Sequence, residues 1–323
     1  LNANAPNNPL PKKRFFFTSQ GKTAIMNADG TGLRYLEFDR PGQATWQPGA
    51  FFPDGKHVLI LSMEPRRDGP GKPFDEYYHT TPTHIWIHNL DTGSLKEIAT
   101  KNRLAPFITP QLLLADDRMM IQVVRNKVPQ SFTINLEGTD PRPFTQPGEG
   151  MPYGMNLSPD GKRIAYHLAA SSGYEIRVCD IDGGNKTLIT KRQGHVFFGP
   201  QWSPYGEYII FQDNHHWEEP GHDWADLVIS RPDGSDLHHL TEGQSLWFGS
   251  SYGSPGNHGH GSNVPIWSKD GTILFSRRLP NSKVAWEYQK DQKDVDHFNR
   301  AYKPELAQGG TEICRMNPAT GRV

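Results

Sequence analysis

Cysteine is nearly absent, with two residues in 323, too few for a disulfide framework or a four-thiolate zinc site. Charge of either sign is not in excess: 34 Lys+Arg face 35 Asp+Glu, a net −1. No basic stripe restores locally the phosphate attraction that nucleic-acid binding needs, so nucleic acid is not an expected partner. Long apolar runs are missing too; no stretch reaches the roughly 18 residues of a spanning helix, and a membrane span is not expected. Hydrophobic residues make up only 35%, which suits a core of many short apolar patches rather than long buried helices. Segments with helical periodicity and caps are scarce. No phosphate-cradling Gly-rich loop and no second catalytic domain is visible, which counts against a propeller-capped serine peptidase.

What is abundant is turn chemistry, 32 glycines and 27 prolines, and it recurs. Phe52-Pro53-Asp54-Gly55-Lys56-His57-Val58-Leu59-Ile60 returns as Leu157-Ser158-Pro159-Asp160-Gly161-Lys162-Arg163-Ile164-Ala165-Tyr166. It returns again as Trp202-Ser203-Pro204-Tyr205-Gly206 and Trp267-Ser268-Lys269-Asp270-Gly271, each with its own β-rich run, and residues 114–121 are a degenerate copy. Each copy sets a tight turn between an apolar residue and a β-rich run, the pattern of a hairpin. A second turn follows each, as in Leu90-Asp91-Thr92-Gly93, Ile181-Asp182-Gly183-Gly184 and Pro232-Asp233-Gly234-Ser235. Two hairpins make a four-stranded unit, lettered a to d.

Gly161 and Gly206 are 45 residues apart, as are Glu137 and Asp182, the length of one propeller blade. The predicted fold is all-β: a single β-propeller domain over 13–323, behind a tail at 1–12. Its four-stranded antiparallel blades are expected at about 13–39, 45–100, 104–146, 150–190, 194–242 and 262–323. Six are visible. The first begins at its second strand and the last stops where its fourth should start, so seven are expected in the full-length protein. The polar start, Leu1-Asn2-Ala3-Asn4-Ala5-Pro6, reads as that of a processed periplasmic or secreted protein, or equally as an ordinary tail. Cys179 and Cys314 fall in equivalent third strands two blades apart and are expected free and buried.

The connections differ by face. The a-to-b and c-to-d turns are short and uniform, whereas the b-to-c and d-to-a connections are long and chemically rich, as binding loops tend to be. Nine of the 14 histidines map to that second face: His79, His167, His195, His215, His216, His222, His258, His260 and His297. Trp217, Tyr252, Arg277, Arg278 and Arg300 add flat rings and cations there. The mix suits an anionic poly- or oligosaccharide, whose sugar faces stack on rings and whose carboxylates pair with Arg. Any one of these histidines alone is more simply a solvated side chain. Arg277 and Arg278 have the plain alternative of pairing with Asp291 or Asp294, Trp202 and Trp267 are expected to pack blades, and His238-His239 is expected to be exposed on a fourth strand.

The sharpest local feature is Asn257-His258-Gly259-His260-Gly261-Ser262-Asn263. Positions i and i+2 of an extended chain share a side, so His258 and His260 can bind one divalent metal ion (Mn, Ca or Zn). His222 with Asp223, or His195, would complete the shell. A Gly-rich loop without metal is the plain alternative.

The Ser-Pro-Asp-Gly hairpin with its Ile/Leu/Phe run and Asp-Gly turn resembles the repeat of TolB-like propellers over most of the chain. Within that superfamily, Gly194-His195 through Pro200, Gln212-Asp213-Asn214-His215-His216, Gly221-His222-Asp223 and His258-Gly259-His260 are similar to oligogalacturonate lyases. Propeller-type ulvan lyases are the neighbouring resemblance. The likeness to oligogalacturonate lyases implies a seven-bladed propeller with a His-rich metal site in its top face and a His-x-His pair like His258 and His260. After His222-Asp223 the chain continues Trp224-Ala225-Asp226-Leu227, without the arginine those lyases place there.

The expected activity is therefore that of a polysaccharide lyase cleaving a uronic-acid polymer by β-elimination. That reaction needs a neutralised carboxylate, a base for the C5 proton and an acid for O4. A divalent cation at His222, His258 and His260, or Arg277 and Arg278, would serve the first. His195 is the expected base, with His167 and Tyr153 of the preceding blade as acid partners. The alternative is a non-catalytic TolB-like propeller binding a glycan or protein partner.

Overall fold

The computed structural model describes residues 14–19, 22–43, 45–64, 83–98, 100, 118–125, 128–170, 173–214, 224–246, 264–283, 286–288 and 300–323. The expected 1–12 tail lies outside them. Among the described residues the helical element is a 3-10 turn at Pro304–Leu306, and no helix is long and apolar enough to cross a membrane. Two compact units divide the chain, Leu1–Gly148 and Glu149–Val323.

In the first unit β1 (Arg14–Ser19), β2 (Lys22–Asn27) and β3 (Arg34–Tyr35) form one antiparallel sheet. The second sheet holds β4 (Thr45–Phe51), β5 (His57–Met63), β6 (Thr83–Asn89) and β7 (Leu95–Ile98). The third holds β8 (Arg118–Arg125), β9 (Val128–Asn135) and β10 (Arg142–Pro143). Two-residue alternation divides β5 between two cores: Val58 and Ile60 join Ile25, Trp86 and Leu90, while Leu59 and Leu61 join Ile85, Met119 and Phe132. Each such side chain withdrawn from water contributes about 1.5–3 kcal/mol.

In the second unit β11 (Met151–Leu157), β12 (Arg163–Ala170), β13 (Gly173–Asp180) and β14 (Thr187–Lys191) make the fourth blade. The fifth comprises β15 (Val196–Trp202), β16 (Ile209–Asn214), β17 (Trp224–Ser230) and β18 (His238–His239). Then come β19 (Ser245–Leu246), β20 (Ile266–Trp267), β21 (Ile273–Arg278), β22 (Trp286–Tyr288), β23 (Arg300–Tyr302) and β24 (Thr311–Met316). Strands β20, β21 and β24 form the sixth blade, and β22 pairs with β23 in a ribbon inserted between β21 and β24. The fifth and sixth blades are one continuous sheet. Strand β19 pairs with β17 at Trp224↔Leu246 and Ala225↔Ser245, and with β21 at Ser245↔Arg277. Cys179 and Cys314, on β13 and β24, are both free and buried.

The repeated turns follow from their residues. Asp54, Asp160 and Asp270 each accept the amide two residues on, and Gly55, Gly161 and Gly271 donate back to Phe52, Ser158 and Ser268 at 2.8–3.0 Å. These glycines have φ between 64° and 79°, a region that strains other residues. Strand a carries a bulge in β4, β11 and β15. Just past it, Asn156 O and Gln201 O accept the indole N–H of Trp202 and Trp267 from the following blade, each at 3.1 Å. Within the bulge of β15, Gly199 has φ 64°, and a Cβ there would lie 2.3 Å from Val264 Cγ1. The Val264 side chain fills the space that a side chain at 199 would need.

Candidate functional site

Alternation along β16 sends Ile209 and Phe211 into the core shared with Ala165, Ile176, Val178, Phe197 and Val228. Asp213 follows on that same face, so its carboxylate is drawn in with them and is only 1% exposed. Burying a carboxylate costs free energy unless donors are supplied. His195, in the turn that enters β15, supplies one: its Nδ1 lies 2.8 Å from Asp213 Oδ1 and 3.0 Å from Oδ2. Its ring stacks on Phe197, centroids 5.7 Å apart and planes 17° apart. Donation from Nδ1 fixes the tautomer and leaves the lone pair on Nε2. His195 is 14% exposed, at the strand end from which the b-to-c and d-to-a connections leave.

Asp226 stands opposite Asp213 on β17. One of its oxygens accepts the Gly243 N–H. His239 reaches both acids, Nε2 lying 3.4 Å from Asp213 Oδ2 and Nδ1 3.5 Å from Asp226 Oδ2. As expected it is exposed on a fourth strand, lying over the two carboxylates. Sequence reasoning passed over Asp213 and Asp226. The available signal was that each shares a face with buried apolar neighbours two residues away, Phe211 and Val228.

His167 and Tyr153, opposite each other on β12 and β11, stack with centroids 5.2 Å apart. Phe198 packs on the other ring contact at 4.0 Å. His167 is 0% exposed, neither ring nitrogen has a hydrogen-bond partner among the described residues, and burial pushes its pKa down to about 3. It is a neutral core imidazole here. The Tyr153 hydroxyl donates to Met151 Sδ at 3.6 Å.

Arg277 does pair with an acid, but with Glu312, directly across from it on β24: Nη2 and Nε lie 2.6 and 3.0 Å from Oε1. That hydrogen bond holds its pKa above the usual guanidinium value. Arg278 is exposed and its guanidinium sits 5.5 Å over the Trp224 ring, a cation–π contact. Arg300 opens β23 opposite Tyr288. Trp217, Tyr252, His222, His258 and His260 lie outside the described residues, as do Asp291 and Asp294. Among the described residues no group of three or more His, Cys, Asp or Glu is placed to hold a metal ion.

No protein-family profile and no curated protein sequence matches the chain. Solved structures do. A putative TolB from Agrobacterium tumefaciens superposes with a TM-score of 0.51 at 18% identity, covering 91% of this chain and 97% of that one. An oligogalacturonate lyase in complex with manganese gives 0.54 at 16% identity over 81% of this chain and 69% of that one. The oligogalacturonate lyase of Vibrio parahaemolyticus gives 0.56 at 12% identity over 81% and 70%. The fold is a β-propeller of antiparallel blades, and the resemblance read from the hairpin repeat is borne out at the level of fold.

Proposed function

We propose that this chain is a polysaccharide lyase that cleaves an anionic uronate poly- or oligosaccharide by β-elimination, with His195 as the base. The observation that carries this reading is the buried Asp213 carboxylate on Nδ1 of His195. An imidazole so held keeps one orientation and one tautomer, as a general base requires. Its Nε2 takes the C5 proton of the uronate, the electron pair forms the C4–C5 double bond, and the C4–O4 bond breaks. The departing O4 needs a proton, for which Tyr153 is the proposed donor, since His167 is buried and neutral.

Acidity at C5 rises when the substrate carboxylate is neutralised. Arg278 is the cation proposed for this, because Arg277 is occupied by Glu312. A divalent ion held by His222, His258 and His260 would supply the same charge neutralisation when bound.

The test is the ultraviolet absorbance of the unsaturated uronate end on galacturonan, ulvan and rhamnose-glucuronate polymers, with and without Mn²⁺ or Ca²⁺. A rising signal that is lost in His195→Ala supports the reading. No signal on any uronate polymer overturns it. The second reading, a binding-only propeller, is favoured by the internal pairing of Arg277 and the burial of His167; retained glycan binding by His195→Ala without any turnover would establish it.

A further inference from the structure

Strand β19 explains why the adjacent Arg277 and Arg278 find different partners. The pairings Ala225↔Ser245 and Ser245↔Arg277 set three strands in one rung, so Ala225 and Arg277 share a face of the joined sheet. That face turns inward: Leu227 and Phe275, each two residues along, meet in one core. Side chains alternate along a strand, so Trp224 and Arg278, each one residue along, share the opposite face. Asp226 lies on it as well, and so does Asp213, its partner across β16 and β17 and the acid on His195 Nδ1. One face of one sheet thus carries both the acid that orients the proposed base and the second arginine.

Arg278 is anchored at both ends. Its main-chain N–H donates to Gln244 O at 2.9 Å, and its guanidinium lies 5.5 Å over the ring of Trp224, a buried residue. A long cationic side chain in water samples many rotamers, and ordering it costs free energy when a ligand binds. A ring beneath it lowers that cost in advance. Attraction to an aromatic face does not occupy the fork of N–H donors, whereas an ion pair such as Arg277 with Glu312 does.

We propose that Trp224 is a positioning residue: it holds Arg278 aligned to take a uronate carboxylate, on the sheet face that also orients His195. The carboxylate role rests on the reading of the chain as a uronate lyase, whereas the contact of ring and guanidinium does not.

Calorimetric binding of tri-galacturonate and tri-glucuronate, together with the Arg278 Nε–H resonance, tests this in the full chain and in Trp224→Phe, Trp224→Leu, Arg278→Ala and Trp224→Leu/Arg278→Ala. Trp224→Met replaces Trp224→Leu if the latter does not melt cooperatively. The indole ring current should displace the Arg278 resonance in the wild type; the displacement is kept in Trp224→Phe and lost in Trp224→Leu. Trp224→Leu is expected to weaken binding about tenfold, as Arg278→Ala does, and Trp224→Phe by no more than about twofold. The double variant should bind no more weakly than Arg278→Ala alone, because the ring acts only through the arginine. Equal losses for phenylalanine and leucine, additive losses in the double variant, an undisplaced Arg278 resonance, or no binding of either oligouronate to the wild type each overturns the proposal. None of these measurements needs turnover. Binding that follows this pattern without the ultraviolet product would remove the lyase reading alone, and product formation with unaltered binding in Trp224→Leu would remove the role of Trp224 alone.

Discussion

The imidazole of His195 and the carboxylate of Asp213 are joined across the first two strands of one blade, Nδ1 lying within 3.0 Å of both oxygens. The acid is there because its neighbours at two-residue spacing are core residues, and the imidazole is oriented because the acid is buried. If elimination runs through His195, Asp213→Asn lets the ring turn over and lowers kcat by about 10²–10⁴-fold. KM on the same uronate polymer should change little. Initial rates by ultraviolet absorbance measure both.

His167 makes stability depend on pH. Burial takes its pKa from 6.5 down to about 3, so between those values the unfolded chain binds a proton that the folded chain refuses. Stability from this group is therefore present above pH 6.5 and falls as pH drops toward 3, by up to about 1.4 kcal/mol per pH unit. Tm measured from pH 7 to 5 should fall in the wild type and fall less steeply in His167→Phe, which keeps a ring against Tyr153 and Phe198. Parallel slopes would contradict the burial of a neutral imidazole.

The two adjacent arginines should separate in their effects. Arg278→Ala removes an exposed cation and is expected to raise KM for an anionic polymer about tenfold, the size of one charge-assisted contact. Arg277→Ala breaks a largely exposed ion pair with Glu312, and its Tm should shift by less than about 2 °C. Polymer-binding and melting curves on the two variants check this, and an equal KM effect for both would contradict it.

Gly199→Ala is expected to destabilise by about 2 kcal/mol or more, since the new methyl meets Val264 and the backbone stays left-handed. Adding Val264→Ala should recover only the packing share. Denaturant unfolding of the single and double variants measures it.

The fold was legible because its signals are local. Asp-Gly turns such as Asp160-Gly161 report their own backbone conformation, and the spacing of Gly161 and Gly206 reports the blade. His195 was legible as a lone imidazole where the chain enters a strand. Asp213 was not, because an acid within Gln212-Asp213-Asn214 looks like the polar end of a strand until the side chains of Ile209 and Phe211 are seen buried on its face. The contacts of His239 with Asp213 and Asp226 were not legible for a different reason: strands β16 and β17 bring both acids to it, and neither is a sequence neighbour. Arg277 found Glu312, 35 residues away, because strand pairing across an insertion decides its partner.

Strand β19 joins the fifth and sixth blades through main-chain pairing to both β17 and β21. Between the fourth and fifth blades the described hydrogen bonds each involve a side chain, such as the Trp202 indole on Asn156 O, but here, between the fifth and sixth, paired peptide groups must part as well. The two blades are thereby committed to melt as a single cooperative block, with amide exchange at Ala225 and Arg277 governed by the same opening event.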